Sequence, residues 1–144
     1  MYKNRYNLIC YNTYGGIDMN KYILDFLKDI MAIDSPSGYS KKVIHYCQKE
    51  AEKLGFQTKK THKGNLEIYV EGQDDYTIGF CGHVDTLGLM VRSIKSDGTL
   101  AFTNVGGPII PTLDGEYCRI HTRDGQCYTG TILSNYPAVH VYKD

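Results

Sequence analysis

The residues with the clearest capacity for chemistry form one short run, Gly82-His83-Val84-Asp85. An imidazole can ligate a divalent metal through one ring nitrogen when the other carries the proton, and a hydrogen bond at that second nitrogen decides which is which. In extended chain, side chains two apart lie on the same side. Asp85 can therefore accept the second N–H of His83, fix its tautomer and strengthen the donor nitrogen. The candidate metal ligand is His83, and the candidate catalytic carboxylate that orients it is Asp85. A strand-end histidine followed by a turn-forming aspartate is the competing reading, and the His-x-Asp string alone leaves both open.

The setting of the run bears on that choice. Thr77-Ile78-Gly79-Phe80-Cys81 is short and almost continuously apolar, which predicts a strand buried on both faces. In open α/β sheets, ligands collect beyond the carboxyl ends of such strands. Other chemistry-bearing residues read as structural. His45 falls on a predicted helix, His62 in a polar turn, and His121 at a strand end; His140 reads as a structural or interface residue. Ser35, Ser37 and Ser40 lack a Gly-x-Ser-x-Gly elbow and are explained by turns and helix caps. Cys81 is expected in the core.

The elements around the run follow from periodicity. Ile23, Phe26, Leu27 and Ile30 recur at spacings of three and four, so residues 20–33 predict a helix with one buried face and Asn20 as its cap. Ser35-Pro36-Ser37-Gly38 breaks it. Ser37 or Ser40 can cap a second helix over residues 40–54, with Val43, Ile44, Cys47, Ala51 and Leu54 inward and Gly55 closing it. Strands are expected at 56–59 and 65–70, around a Lys63-Gly64-Asn65 turn. From Leu87 onward, strand-like runs alternate with Ser96-Asp97-Gly98, Gly106-Gly107-Pro108 and Arg123-Asp124-Gly125, without helical pattern. That spacing suggests a small β-barrel or sandwich. The predicted organisation is a leader of doubtful order (1–18, with Met19 as functional start), the opening of an α/β layer (19–86), and an inserted β module (87–144).

Composition narrows the function classes. Lys+Arg and Asp+Glu number 16 each, so no net field attracts nucleic acid or an anionic membrane. The 13 tyrosines do not alternate with basic residues as a nucleic-acid platform would. No apolar stretch approaches the roughly 18 residues of a membrane span. The 5 cysteines are odd in number and include no Cys-x-x-Cys pair. This argues against a disulfide framework and suits a reducing, cytoplasmic compartment, with Cys47 and Cys81 as small buried hydrophobes.

The longer string Gly-His-Val-Asp-Thr-Leu-Gly-Leu-Met-Val at 82–91 resembles the first metal motif of the co-catalytic zinc peptidases. Within them it resembles the glutamyl, deblocking or tetrahedral aminopeptidases, peptidase family forty-two. Ser35-Pro36-Ser37-Gly38-Tyr39 is similar to that family's Pro-Ser-x-Gly element. Phe102 to Gly107 with Leu113-Asp114-Gly115, and Gly130-Thr131-Ile132 with Pro137-Ala138-Val139-His140, are similar to its later motifs. The resemblance runs over about residues 20–144. It implies a phosphorylase-like α/β/α catalytic domain interrupted by a β-barrel dimerisation module. It also implies homo-oligomers up to a dodecamer, two divalent ions (zinc or cobalt), and removal of N-terminal residues from peptides.

Carried over residue by residue, the resemblance makes His83 the first metal ligand and Asp85 its orienting acid. The family's other ligands and its general-base glutamate follow the inserted module, so the chain is expected to be an amino-terminal part, inactive alone. Asp144 is not promoted to bridging ligand. Thr86, Pro108 and Tyr39-Ser40-Lys41 depart from the family pattern and leave substrate preference open. Two alternatives stand beside this reading: a non-catalytic assembly or binding fragment, and a sister family of zinc peptidases and deacylases that shares Gly-His-x-Asp-Thr. The latter's proline and Trp-Pro-Phe stretch is replaced here by Gly-Leu-Met-Val and hairpin signals.

Overall fold

A computed structural model describes residues 13–14, 17–73 and 75–134. Most of the leader, Cys10, the Pro137 to His140 segment and Asp144 lie outside the described residues. The chain forms a mixed α/β structure in two compact units, Met1–Gly106 and Gly107–Asp144.

The first unit opens with a short antiparallel pair, β1 (Thr13–Tyr14) and β2 (Ile17–Asp18), followed by α1 (Met19–Ala32). The cap of α1 is Asp18 rather than Asn20. Asp18 Oδ1 accepts from the backbone N–H of Asn20 at 3.1 Å and of Lys21 at 3.3 Å. A carboxylate at this position satisfies free N–H groups and complements the positive helix end together. The expected inward face of α1 is covered only in part: Phe26 and Ile30 are half-buried, whereas Ile23 and Leu27 are exposed.

Helix α2 (Lys41–Lys53) carries the core. Val43 is fully buried and Ala51 nearly so, while Ile44 and Cys47 are half-buried and Leu54 is exposed. Its end is a Schellman closure: Phe56 N–H donates to Ala51 O and Gly55 N–H to Glu52 O, both at 3.0 Å, with Gly55 at φ 86°. Aromatic rings hold the helices together, with Phe26 stacked on Tyr46 at 5.9 Å between centroids. The Tyr46 hydroxyl donates to Asp29 Oδ2 at 2.6 Å. That bond to a carboxylate pushes the Tyr46 pKa well above the ordinary range, because ionisation would forfeit it.

Next comes an antiparallel hairpin, β3 (Gln57–Lys60) with β4 (Leu66–Tyr69). Gln48 and Glu52 of α2 bond Thr58 at 3.2 and 2.9 Å and hold the hairpin to the helix. A second hairpin joins β5 (Gly88–Ile94) to β6 (Leu100–Val105), with a bulge between Val91 and Ser93. The second unit contains a single-turn 3₁₀ helix (Ile110–Leu113), which the periodicity gave no sign of, and a third hairpin, β7 (Tyr117–His121) with β8 (Cys127–Thr131). Gly115 N–H to Ile132 O at 2.8 Å and Ile132 N–H to Glu116 O at 2.9 Å continue that pairing beyond the strands.

The three hairpins β3–β4, β5–β6 and β7–β8 share one turn. Each has three loop residues, a bond that closes the loop, and a final glycine at φ 83–89° (Gly64, Gly98, Gly125). This is the type I turn plus left-handed residue that matches strand twist, and only glycine enters that region without strain. The described strands form four two-stranded sheets, and none has a third strand.

One expected element is absent. Thr77–Cys81 forms no strand, and Ile78 and Phe80 are exposed, Phe80 at 94%. A strand buried on both faces needs neighbours on both edges and a layer on each side; the described residues supply none of these to 77–81. Cys81 is therefore exposed rather than core, and Cys47 is only half-buried. No described helix is long and apolar enough to cross a membrane.

Candidate functional site

The site is built where the loop between α1 and α2 meets the segment leading into β5. Ser35 is completely buried. Its hydroxyl donates to Val84 O at 2.9 Å, and its own carbonyl accepts from Thr86 N–H at 2.9 Å. Pro36 and Thr86 form a parallel bridge. Gly88 then passes so close to Pro36 that an added Cβ would lie 2.6 Å from Pro36 Cβ. Glycine at 88 is thus a steric requirement of the contact.

After Pro36 the loop turns sharply. Tyr39 N–H donates to Pro36 O at 2.7 Å, and Gly38 has φ 87°, the signature of a type II turn with glycine third. Ser37 is the second residue of that turn, and its hydroxyl donates to Asp85 Oδ2. The capping role expected for Ser37 is not the one it plays. Ser40 occupies the cap position of α2, and its side chain makes no capping bond.

His83 and Asp85 are brought together as their spacing predicts. Nδ1 of His83 lies 3.1 Å from Asp85 Oδ1 and 3.1 Å from the Asp85 carbonyl oxygen. Both neighbours are acceptors, so the arrangement assigns the proton to Nδ1 and leaves Nε2 as the donor nitrogen. The His83 side chain is 84% exposed and that of Asp85 41%. The Ser37 hydroxyl is the main reason the Asp85 carboxyl lies below the usual carboxylate range, with its own backbone N–H and the imidazole adding to it. His83 and Asp85 border a hollow of about 640 Å³ lined also by Ile44, Cys47, Leu66 and Ile68.

Among the described residues, no group of three or more His, Cys, Asp or Glu side chains is placed to hold a metal. The other histidines stand apart in role: His45 is exposed on α2, His62 is exposed in the β3–β4 turn, and His121 ends β7. His140 lies outside the described residues. Ser35 and Ser37 are the residues of the candidate site that local reading missed. Their partners are 49 and 48 residues away, beyond any periodicity. The only signal for them is that the Pro-Ser-x-Gly element and His-x-Asp occur in one chain.

The chain is similar to several known proteins. The M42 glutamyl aminopeptidase family matches residues 64–144. YhfE of Bacillus subtilis is 40% identical over 122 residues, covering 84% of this chain and 35% of that protein. The glutamyl aminopeptidase of Lactococcus lactis subsp. cremoris is 27% identical over 106 residues, 72% of this chain and 30% of the relative. Among solved structures, the TET aminopeptidase of a marine-sediment Thaumarchaeota archaeon superposes with TM-score 0.72 at 28% identity, over 78% of this chain and 31% of that one. The Pyrococcus horikoshii TET1 peptidase, which assembles into a tetrahedron or a large octahedral shell, gives 0.69 at 28% identity, over 85% and 36%. The chain spans about a third of the length of the curated relatives it matches.

Proposed function

Because the chain belongs to the M42 glutamyl aminopeptidase family, we propose that it serves in removing N-terminal residues from peptides, with His83 as a metal ligand and Asp85 as the acid that orients it. The observation that carries this is the Nδ1 contact of His83 with Asp85, which favours the tautomer with a bare Nε2, on a side chain that is 84% exposed. The residues fit a divalent ion at one position of its coordination sphere, an imidazole with its tautomer secured. A bound zinc or cobalt ion would polarise a peptide carbonyl and acidify water.

This chain's own part is to hold the imidazole, keep its proton on Nδ1, and keep a carboxylate ionised beside it. The chain spans about a third of the length of its relatives, and by itself it is expected to show no appreciable turnover. The same reading includes a two-metal site in the complete enzyme, a cytoplasmic location, and homo-oligomers, dimers that build a dodecamer. It also includes an α/β/α catalytic layer over 19–86 and an inserted barrel over 87–144, to which the Gly88–Val105 and Tyr117–Thr131 hairpins would belong. The assemblies named for the Pyrococcus relative support the oligomer.

The test is hydrolysis of aminoacyl p-nitroanilides by the full gene product supplied with zinc or cobalt. His83→Ala is expected to lower kcat/KM by more than the ~10–100-fold typical of losing a ligand's orienting partner, and Asp85→Ala by about that range. A His83→Ala enzyme with unchanged kcat/KM would exclude the ligand role.

A further inference from the structure

We propose that Ser37 is a positioning residue for His83, acting through Asp85: its hydroxyl locks the carboxylate in the orientation that keeps the imidazole proton on Nδ1. The inference rests on the reading of His83 as a ligand for its purpose, and on geometry alone for its mechanism.

The carboxylate of an aspartate turns about a soft terminal torsion. At 41% exposure, water competes for the Asp85 oxygens. A carboxylate held only by a neighbouring imidazole would therefore rotate. Here one oxygen, Oδ2, accepts from Ser37, and this leaves the other, Oδ1, 3.1 Å from His83 Nδ1. Ser37 can do this because its own backbone is fixed twice. The turn closed by Tyr39 N–H and Pro36 O holds it on one side, and the Pro36–Thr86 bridge holds the turn against the segment that carries Asp85. Donor and acceptor are thus tied to one another by backbone as well as by side chain. The Asp85 carbonyl also accepts from Nδ1 at 3.1 Å, so loss of Ser37 weakens the tautomer preference without abolishing it.

The experiment is long-range ¹⁵N–¹H correlation on the metal-free full chain, above the ordinary histidine pKa of about 6.5, with His83 assigned through His83→Gln. The wild type is expected to show Nδ1 protonated and Nε2 bare. Ser37→Ala should move both nitrogens toward the average of the two tautomers, and Ser37→Thr, which keeps a hydroxyl, should restore the wild-type positions. A cobalt(II) absorption titration of the full gene product should show binding weakened about 10-fold in Ser37→Ala, the low end for partners of a ligand. A wild type with the proton on Nε2 overturns the proposal whatever the variants do. So does a folded Ser37→Ala with unchanged nitrogens, a Ser37→Thr that behaves like alanine, or a Ser37→Ala that does not fold, since the hydroxyl would then hold the fold and not the carboxylate. If no version binds cobalt while the tautomer shifts as stated, the metal reading of His83 fails and the positioning role stands.

Discussion

The chain on the two sides of His83 behaves in opposite ways. Before it, Tyr76, Ile78 and Phe80 are 69%, 65% and 94% exposed, and their backbone belongs to no sheet. After it, Val84, Asp85, Thr86 and Gly88 are each fastened to the 35–37 loop, by a hydroxyl, a backbone bridge or a steric fit. Both segments are short and rich in apolar residues. They differ in what each needs in order to be held. The second needs one small loop with two serines, which the same unit supplies. The first needs sheet neighbours and two covering layers, which the described residues do not. Apolar character alone fixes a segment's preference for burial and leaves open what will bury it.

The contrast can be broken at named positions. Gly88→Ala drives a methyl against the Pro36 ring at 2.6 Å. The loop is bridged in place, so overpacking of about 1–3 kcal/mol is expected as a lower urea midpoint; an unchanged midpoint would mean that the two segments are not in contact. Ser35→Ala removes the donor to Val84 O from a fully buried position. Leaving that carbonyl unpaired costs about 1–2 kcal/mol by the same measurement. On the other side, Phe80→Ser should change the stability of the 144-residue chain by less than about 0.5 kcal/mol, as expected for an exposed position. A loss above 1 kcal/mol would show Phe80 to be covered and the contrast false.

Acid titration gives the smallest and most local effect. The Thr99 hydroxyl, at 2.7 Å, and its N–H, at 2.9 Å, hold the Asp97 carboxyl below its usual range. A folded pKa below the unfolded one contributes stability above about pH 4, and that contribution fades as pH falls through the folded value. Asp97→Asn should therefore flatten the loss of stability below about pH 4. Equal acid slopes for the two chains would show that the turn carboxylate carries none of it.

What the sequence disclosed follows the same division. The β3–β4 strands are legible to within one residue, and the turns at Asp97-Gly98 and Asp124-Gly125 are legible in place, because glycine turns and alternation act over few residues. The Gly55 closure of α2 is equally local. Asn20 was the natural cap by type, but Asp18 offers a charge as well as an acceptor and takes the role. The inward face of α1 is legible as a pattern but only partly covered as a surface, since coverage depends on other elements. At the site, His83 with Asp85 is readable from a spacing of two. Ser35 and Ser37 are not, because their partners lie beyond one helix and a hairpin.

The shared three-residue turn has a consequence for how the chain comes together in time. Each hairpin needs only its own turn and adjoining strands to form, an event on the order of microseconds. The fastening of Asp85 to Ser37 must close a span of 48 residues, and loop-closure entropy has to be met before that contact returns anything. His83 therefore acquires its orientation after the local structure around it exists. A change that slows the 35–37 loop from finding residues 84–88 would delay the site and leave the hairpins on schedule.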